Sequence, residues 1–229
     1  VIEGSSHTSE ALSLLGFRGG FTSISAYRKD KFTSSVTLPL VIYDLDDKLT
    51  ASEWKLLLTD AFGDEMPAAL FIGGKMHKIQ LFEADLFDGY GYDTVLVIFD
   101  RKFTEKERFN LNDLFDIVNA LRAENGCPWD KVQTRETIKN NLIEESYEMY
   151  DAINSQDING ILEESGDMFL QLVFHTIFAE EERLYNRNDV LSGICSKLIF
   201  RHSHVFGNDR AKDGNQALDV WEKNKSIEK

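Results

Sequence analysis

The run Leu142-Ile-Glu-Glu-Ser-Tyr-Glu148, followed after a short polar break by Ile161-Leu-Glu-Glu-Ser-Gly-Asp167, decides how the second half of this 229-residue chain is read. Within the runs Glu145 stands three before Glu148 and Glu164 three before Asp167, and residues three or four apart share a helix face. Apolar residues recur at the same spacing, which predicts helices over Thr134 to Asn154 and Ile158 to Leu184. The break at Ser155-Gln-Asp157 allows only a tight turn, so the helices are expected to be antiparallel neighbours with their acidic edges at comparable height. Four carboxylates in a small volume repel unless cations neutralise them. All-oxygen ligands select hard cations, Mg²⁺ first and Mn²⁺ as a substitute, over zinc. For either run alone a solvated acidic face is the plainer reading; the pairing favours a metal site. A ferritin-like di-iron centre needs Glu-x-x-His on two helices, whereas His175 lies eight residues past Asp167.

Outward from these runs, the period of three and four continues through Leu111, Leu114, Phe115, Val118 and Leu121, then Asn188 to His202, then a tail from Gln216 to Ile227. Breaks fall at Gly126-Cys-Pro128 and Gly207-Asn-Asp209. Residues 103–229 are thus expected to form an all-α bundle. Residues 1–102 read differently, with β-rich runs at Leu38 to Tyr43, Ala68 to Ile72 and Thr94 to Phe99 around one helix. That helix is expected to open on the capping box Thr50-Ala-Ser-Glu53 and to close at Gly63, with Trp54, Leu57, Leu58 and Ala61 on one face. The fold class is therefore α+β overall, an α/β lobe followed by a helical bundle.

Composition bounds the partners. With 42% hydrophobic and 28% charged residues the chain is an ordinary globular protein, and its net charge of −14 repels polyanions, so no nucleic acid polymer is expected to bind. Cys127 and Cys195 make no disulfide framework, which fits a reducing, cytoplasmic setting. The longest apolar stretch, Met168 to Ala179, is shorter than the roughly 20 residues a bilayer demands, so no membrane span is expected. The opening at Val1 lacks the features of a signal peptide and reads as a cut end.

Asn125-Gly-Cys-Pro-Trp-Asp-Lys131, Gln133-Thr134, Glu144-Glu-x-x-Glu148, Glu164-x-x-Asp167, Gln171-x-Val-Phe-His175 and Arg201-His-Ser-His-Val-Phe206 follow one another in fixed order. This succession, from about Phe109 to Lys225, resembles the MazG family of nucleoside triphosphate pyrophosphohydrolases. The resemblance implies an all-α, usually dimeric enzyme that uses Mg²⁺ to hydrolyse a nucleoside triphosphate to monophosphate and pyrophosphate. Carried over, it makes Glu145, Glu148, Glu164 and Asp167 the metal ligands, with Glu144 a catalytic candidate beside them. A carboxylate not fully engaged by metal can take the attacking water's proton, and Glu148 is assigned that role. Lys197 and Arg201, four apart, match a phosphate-binding helix. In Trp221-Glu-Lys-Asn-Lys225 the ring matches a base-stacking position and Lys225 a phosphate contact. Trp129 and Lys131 are further substrate-binding candidates. His202 and His204 read as capping or packing residues and neither cysteine as a nucleophile.

Val1-Ile-Glu-Gly-Ser-Ser6, Ala11-Leu-Ser-Leu-Leu-Gly16 and Pro39-Leu-Val-Ile-Tyr43 are similar to the second half of a tetrapyrrole methylase, as fused ahead of MazG in YabN-like proteins. Glu3 stands where that family has proline, and Gly73-Gly74 and Gly89-x-Gly91 lack the spacing of a dinucleotide loop. Residues 1–102 are therefore expected to be a partial lobe with a structural or regulatory role. Two alternatives stand beside the hydrolase: an S-adenosylmethionine-dependent tetrapyrrole methyltransferase fragment with a regulatory MazG half, and a non-catalytic nucleotide-binding module.

Overall fold

The computed structural model describes residues 4–228, so the expectations attached to Val1 and Glu3 fall outside the described residues. The chain forms two compact units that divide between Ile117 and Val118.

The first unit runs α1 (Gly4–Leu14), β1 (Thr22–Ser25), β2 (Leu40–Tyr43), α2 (Lys48–Phe62), β3 (Pro67–Ile72), β4 (Lys75–Gln80) and β5 (Val95–Ile98). Its strands make one mixed sheet in the order β1-β2-β5-β3-β4, in which β1 and β2 are parallel and every other pair is antiparallel. Both faces of the central strands are covered. Leu40, Ile42, Leu70, Leu96 and Ile98 bury one face with Trp54 and Leu58 of α2, while Val41, Ala69, Phe71, Val95 and Val97 bury the other with Ala11 and Leu12 of α1. Two covered faces explain why these strands read as continuous apolar runs rather than alternating ones. The indole Nε1 of Trp54 meets its one polar need by donating to the carbonyl of Ala26 at 2.9 Å.

Three details differ from the expectation. Helix α2 starts two residues early because Asp47, not Thr50, caps it, accepting from the Thr50 amide at 2.7 Å. Its buried face is Ala51, Trp54, Leu58 and Phe62, while Leu57 turns outward; Gly63 closes it in the left-handed half of backbone space, at φ 93°. Strands β1 and β4 carry too few buried side chains to register as β pattern. In β4 only Ile79 is buried, and its exposed Lys75 and Lys78 suit an edge that must not pair with another chain.

After α3 (Leu111–Arg122), the second unit contains α4 (Pro128–Lys131), α5 (Arg135–Ser155), α6 (Ile158–Glu181), α7 (Arg187–Arg201), α8 (Ser203–Phe206) and α9 (Gly214–Ile227). Helix α5 packs on α6, α6 on α7, and α7 and α8 on α9. Polar caps set the starts. Thr134 caps α5, Asp157 caps α6, and Asn186 caps α7 through the amides of Asn188 and Asp189. Between α5 and α6 lie only Gln156, left-handed at φ 58°, and Asp157, which forces the antiparallel hairpin.

One arginine secures the chain between α3 and α5. The Arg122 fork meets both carboxylate oxygens of Glu181 at 2.8 Å, donates to the carbonyls of Asp130 and Gln133, and lies 4.6 Å over the Phe178 ring. At the turn before Cys127, a Cβ on Gly126 would sit 2.1 Å from the Leu121 carbonyl oxygen, so glycine is required there.

The apolar stripe of α6 splits. Val173 and Phe178 are 3% exposed with Phe174 and Ile177 around them, whereas Phe169 and Leu172 are 55% and 52% exposed. Ile143 and Tyr147 of α5 and Val190, Ile194 and Leu198 of α7 are exposed as well. Both cysteines are free, and no helix among the described residues is long and apolar enough to cross a membrane.

Candidate metal centre

The α5–α6 hairpin positions the acids. Glu145 and Glu148 lie one turn apart on α5, and Glu164 and Asp167 one turn apart on α6, so the tight link brings the edges together. One carboxylate oxygen from each of Glu145, Glu164 and Asp167 lies within 4.8 Å of the others, and all three residues are half-buried. This is the one such gathering of metal-binding side chains among the described residues. Glu148 is exposed and stands outside the group, near enough for its charge to act on Glu145 and Glu164. Glu144 is exposed beside it.

The electrostatics are those of a site short of positive charge. Burial, and after it the Asp167 carboxylate, push the Glu145 carboxyl above the ordinary glutamate range, against the opposing amide hydrogen bond of Gln171. Burial likewise raises Glu164, followed by the charges of Glu148, Asp167 and Glu145. Oε2 of Glu164 is buried without a hydrogen-bond partner. An orphaned oxygen, three converging carboxylates and an all-oxygen donor set fit a hard divalent cation, which would relieve each of these penalties at once.

The residues assigned to substrate divide into two sets. Arg201, Trp221 and Lys225 come together: the Arg201 guanidinium lies 5.1 Å and the Lys225 ammonium 4.6 Å from the Trp221 ring centroid. The Arg201 fork meets Oε2 of Glu228 through Nε at 2.8 Å and Nη2 at 2.6 Å. Lys197 is exposed one turn before Arg201. Trp129 is 59% exposed on α4, and the Lys131 ammonium donates to the Glu124 carbonyl. The His202 ring faces the Leu198 carbonyl at 2.7 Å, a capping contact at the end of α7.

Residues 133–206 match the MazG nucleotide pyrophosphohydrolase domain. The matched segment thus holds both acidic edges, together with Lys197 and Arg201; Trp221 and Lys225 lie beyond it. The Bacillus subtilis protein YabN, itself uncharacterized, is 35% identical over 195 residues, which are 83% of this chain and 40% of YabN. The Escherichia coli K12 nucleoside triphosphate pyrophosphohydrolase is 41% identical over 120 residues, 52% of this chain and 46% of that enzyme. The chain therefore spans less than half the length of either relative. A crystal structure of a mazG-related protein from Thermotoga maritima aligns with 50% of this chain and 98% of its own at 23% identity and a TM-score of 0.43.

Two contacts of the site were not assigned from the residues. Gln171, read only as part of a motif, donates from its amide to Glu145 at 3.2 Å. Glu228 pairs with Arg201 from 27 residues away. For Gln171 the one available signal was a polar residue interrupting an apolar stripe; for Glu228 there was none.

Proposed function

We propose that the chain hydrolyses nucleoside triphosphates to monophosphate and pyrophosphate with a divalent cation, Mg²⁺ or in its place Mn²⁺, using the domain delimited as residues 103–229. The observation that carries this reading is the convergence of Glu145, Glu164 and Asp167 on one point of the MazG segment. In the proposal these three and Glu148 hold the cation, which when bound screens the triphosphate and stabilises the departing pyrophosphate. Glu148, exposed and outside the three-oxygen group, has the free capacity to accept the proton of the water that attacks the α-phosphorus, with Glu144 beside it. The oxygen–phosphorus bond to the α-phosphoryl group forms as the bond to the bridging oxygen breaks, and pyrophosphate leaves with that electron pair. Arg201, Lys197 and Lys225 offer phosphate contacts, Trp221 a stacking surface, and Trp129 and Lys131 further contacts.

Residues 1–102 are proposed to be a methylase-type lobe acting as a scaffold. Supporting this, the 195 residues aligned with YabN exceed the length of the helical unit and must reach into the first one. A homodimer through the helical unit is proposed from the exposed apolar side chains of α5, α6 and α7, in a cytoplasmic setting that keeps both thiols free. The test is pyrophosphate release across a nucleotide panel with Mg²⁺, with Mn²⁺ and with chelator. Metal-dependent release that Asp167→Asn abolishes supports the proposal, and nucleotide binding without turnover overturns it.

A further inference from the structure

Gln171 is 6% exposed, and its side-chain amide makes a hydrogen bond across the hairpin. Its Nε2 donates to Oε1 of Glu145 at 3.2 Å, while its Oε1 is buried with no hydrogen-bond partner. The amide orientation is fixed by chemistry. A carboxylate only accepts, so the flipped amide would set oxygen against oxygen. Gln171 also lies one turn beyond Asp167 on α6, at the spacing that shares a face, which puts the amide beside the acidic group. A buried acceptor left unmatched is a cost that an apolar side chain of the same shape would avoid. Something must offset it.

We propose that Gln171 is a positioning residue for the cation site: its amide N–H holds the Glu145 carboxylate in a ligating orientation while leaving that group's remaining lone pairs to the cation. The proposal rests on the metal reading above. Without the tether, binding must freeze the rotatable bonds of the glutamate; with it, that ordering is already done.

Mn²⁺ titration of the full chain, followed by the loss of free-ion paramagnetic resonance, tests this alongside a thermal melt in chelator. Gln171→Met keeps length and burial but removes the amide. We expect its Kd for Mn²⁺ to rise tenfold or more, in the range seen when groups behind metal ligands are altered, with an unchanged or higher Tm. Val173→Ala, which opens a cavity at a residue 3% exposed, is expected to do the reverse, lowering Tm and leaving the Kd alone. If Gln171→Met binds Mn²⁺ within twofold of wild type, or if both variants lose affinity in step with lost stability, the positioning role is wrong. Should Gln171→Met not fold, Gln171→Asn, whose amide is too short to reach Glu145, is judged by the same Kd criterion. Failure of the wild-type chain to bind Mn²⁺ overturns the metal reading itself, an outcome separate from the others.

Discussion

Replacing Asp167 by asparagine should change stability with opposite signs depending on whether a divalent cation is present. Asparagine keeps the shape of the side chain and removes its charge. At 4.8 Å, the outer limit for the Glu145 and Asp167 oxygens, two unit charges repel by about 0.9 kcal/mol in bulk water and by about 3.5 kcal/mol at an effective dielectric of 20. Both residues keep solvent contact, so the lower figure governs, and in chelator the variant should be stabilised by about 1 kcal/mol, a rise of roughly 2–5 °C in Tm for a unit of this size. With Mn²⁺ at a hundredfold excess over its Kd, wild type gains about 2.7 kcal/mol by mass action. The variant, with one ligand fewer, forfeits most of that gain, so the two melting curves exchange order. Differential scanning fluorimetry in chelator and over a Mn²⁺ series reads both arms. A fall in Tm in chelator together with a full Mn²⁺ response would refute the reasoning, because it would mean that the carboxylate serves the fold and not a cation.

Four further outcomes are expected. Because the Glu145 carboxyl is raised, chiefly by burial and next by Asp167, its cost to the metal-free fold is absent below the ordinary glutamate value of 4.5 and reaches its full size above the raised value. The stability advantage of Glu145→Gln in chelator should therefore be largest at neutral pH and vanish as pH falls to 4.5, as urea titrations at several pH values will show. Gly126→Ala must displace the backbone carbonyl of Leu121, and should lower stability by about 1–3 kcal/mol in the same titrations. In the proposed role of Arg201 as a phosphate contact, Arg201→Lys keeps the charge but loses the guanidinium fork, so KM in the pyrophosphate-release assay should rise roughly tenfold, while Glu228→Gln, which weakens the carboxylate now paired with Arg201, should lower it. Light scattering should give twice the chain mass for wild type. Ile194→Asp, at a position 44% exposed on α7 and repeated twice in a symmetric pair, should weaken that association by roughly a hundredfold.

Much of the helical unit was legible because its signals are local. The period of three and four placed helix starts at Thr134, Ile158 and Asn188, each within one residue of where α5, α6 and α7 begin behind the caps Thr134, Asp157 and Asn186. The two-residue link between α5 and α6 made the hairpin readable as well. What spacing could not convey was direction within a face. Residues three apart differ by about 60° around a helix, enough for Glu145 to turn into the hairpin while Glu148 faces solvent. Long-range partners were equally hidden: Glu228 on Arg201 and Gln171 on Glu145 depend on how helices pack, which no local pattern encodes. In the first unit, the strands buried on both faces announced themselves, but edge strand β4 and short β1 offered too little apolar pattern to separate them from loop.

The hairpin's brevity has one more consequence. All three converging carboxylates fall between positions 145 and 167, on helices joined by two residues, so assembling them requires the closure of only one small loop of chain. Carboxylates so near in sequence are brought together by local contacts, the kind that form early as a chain folds.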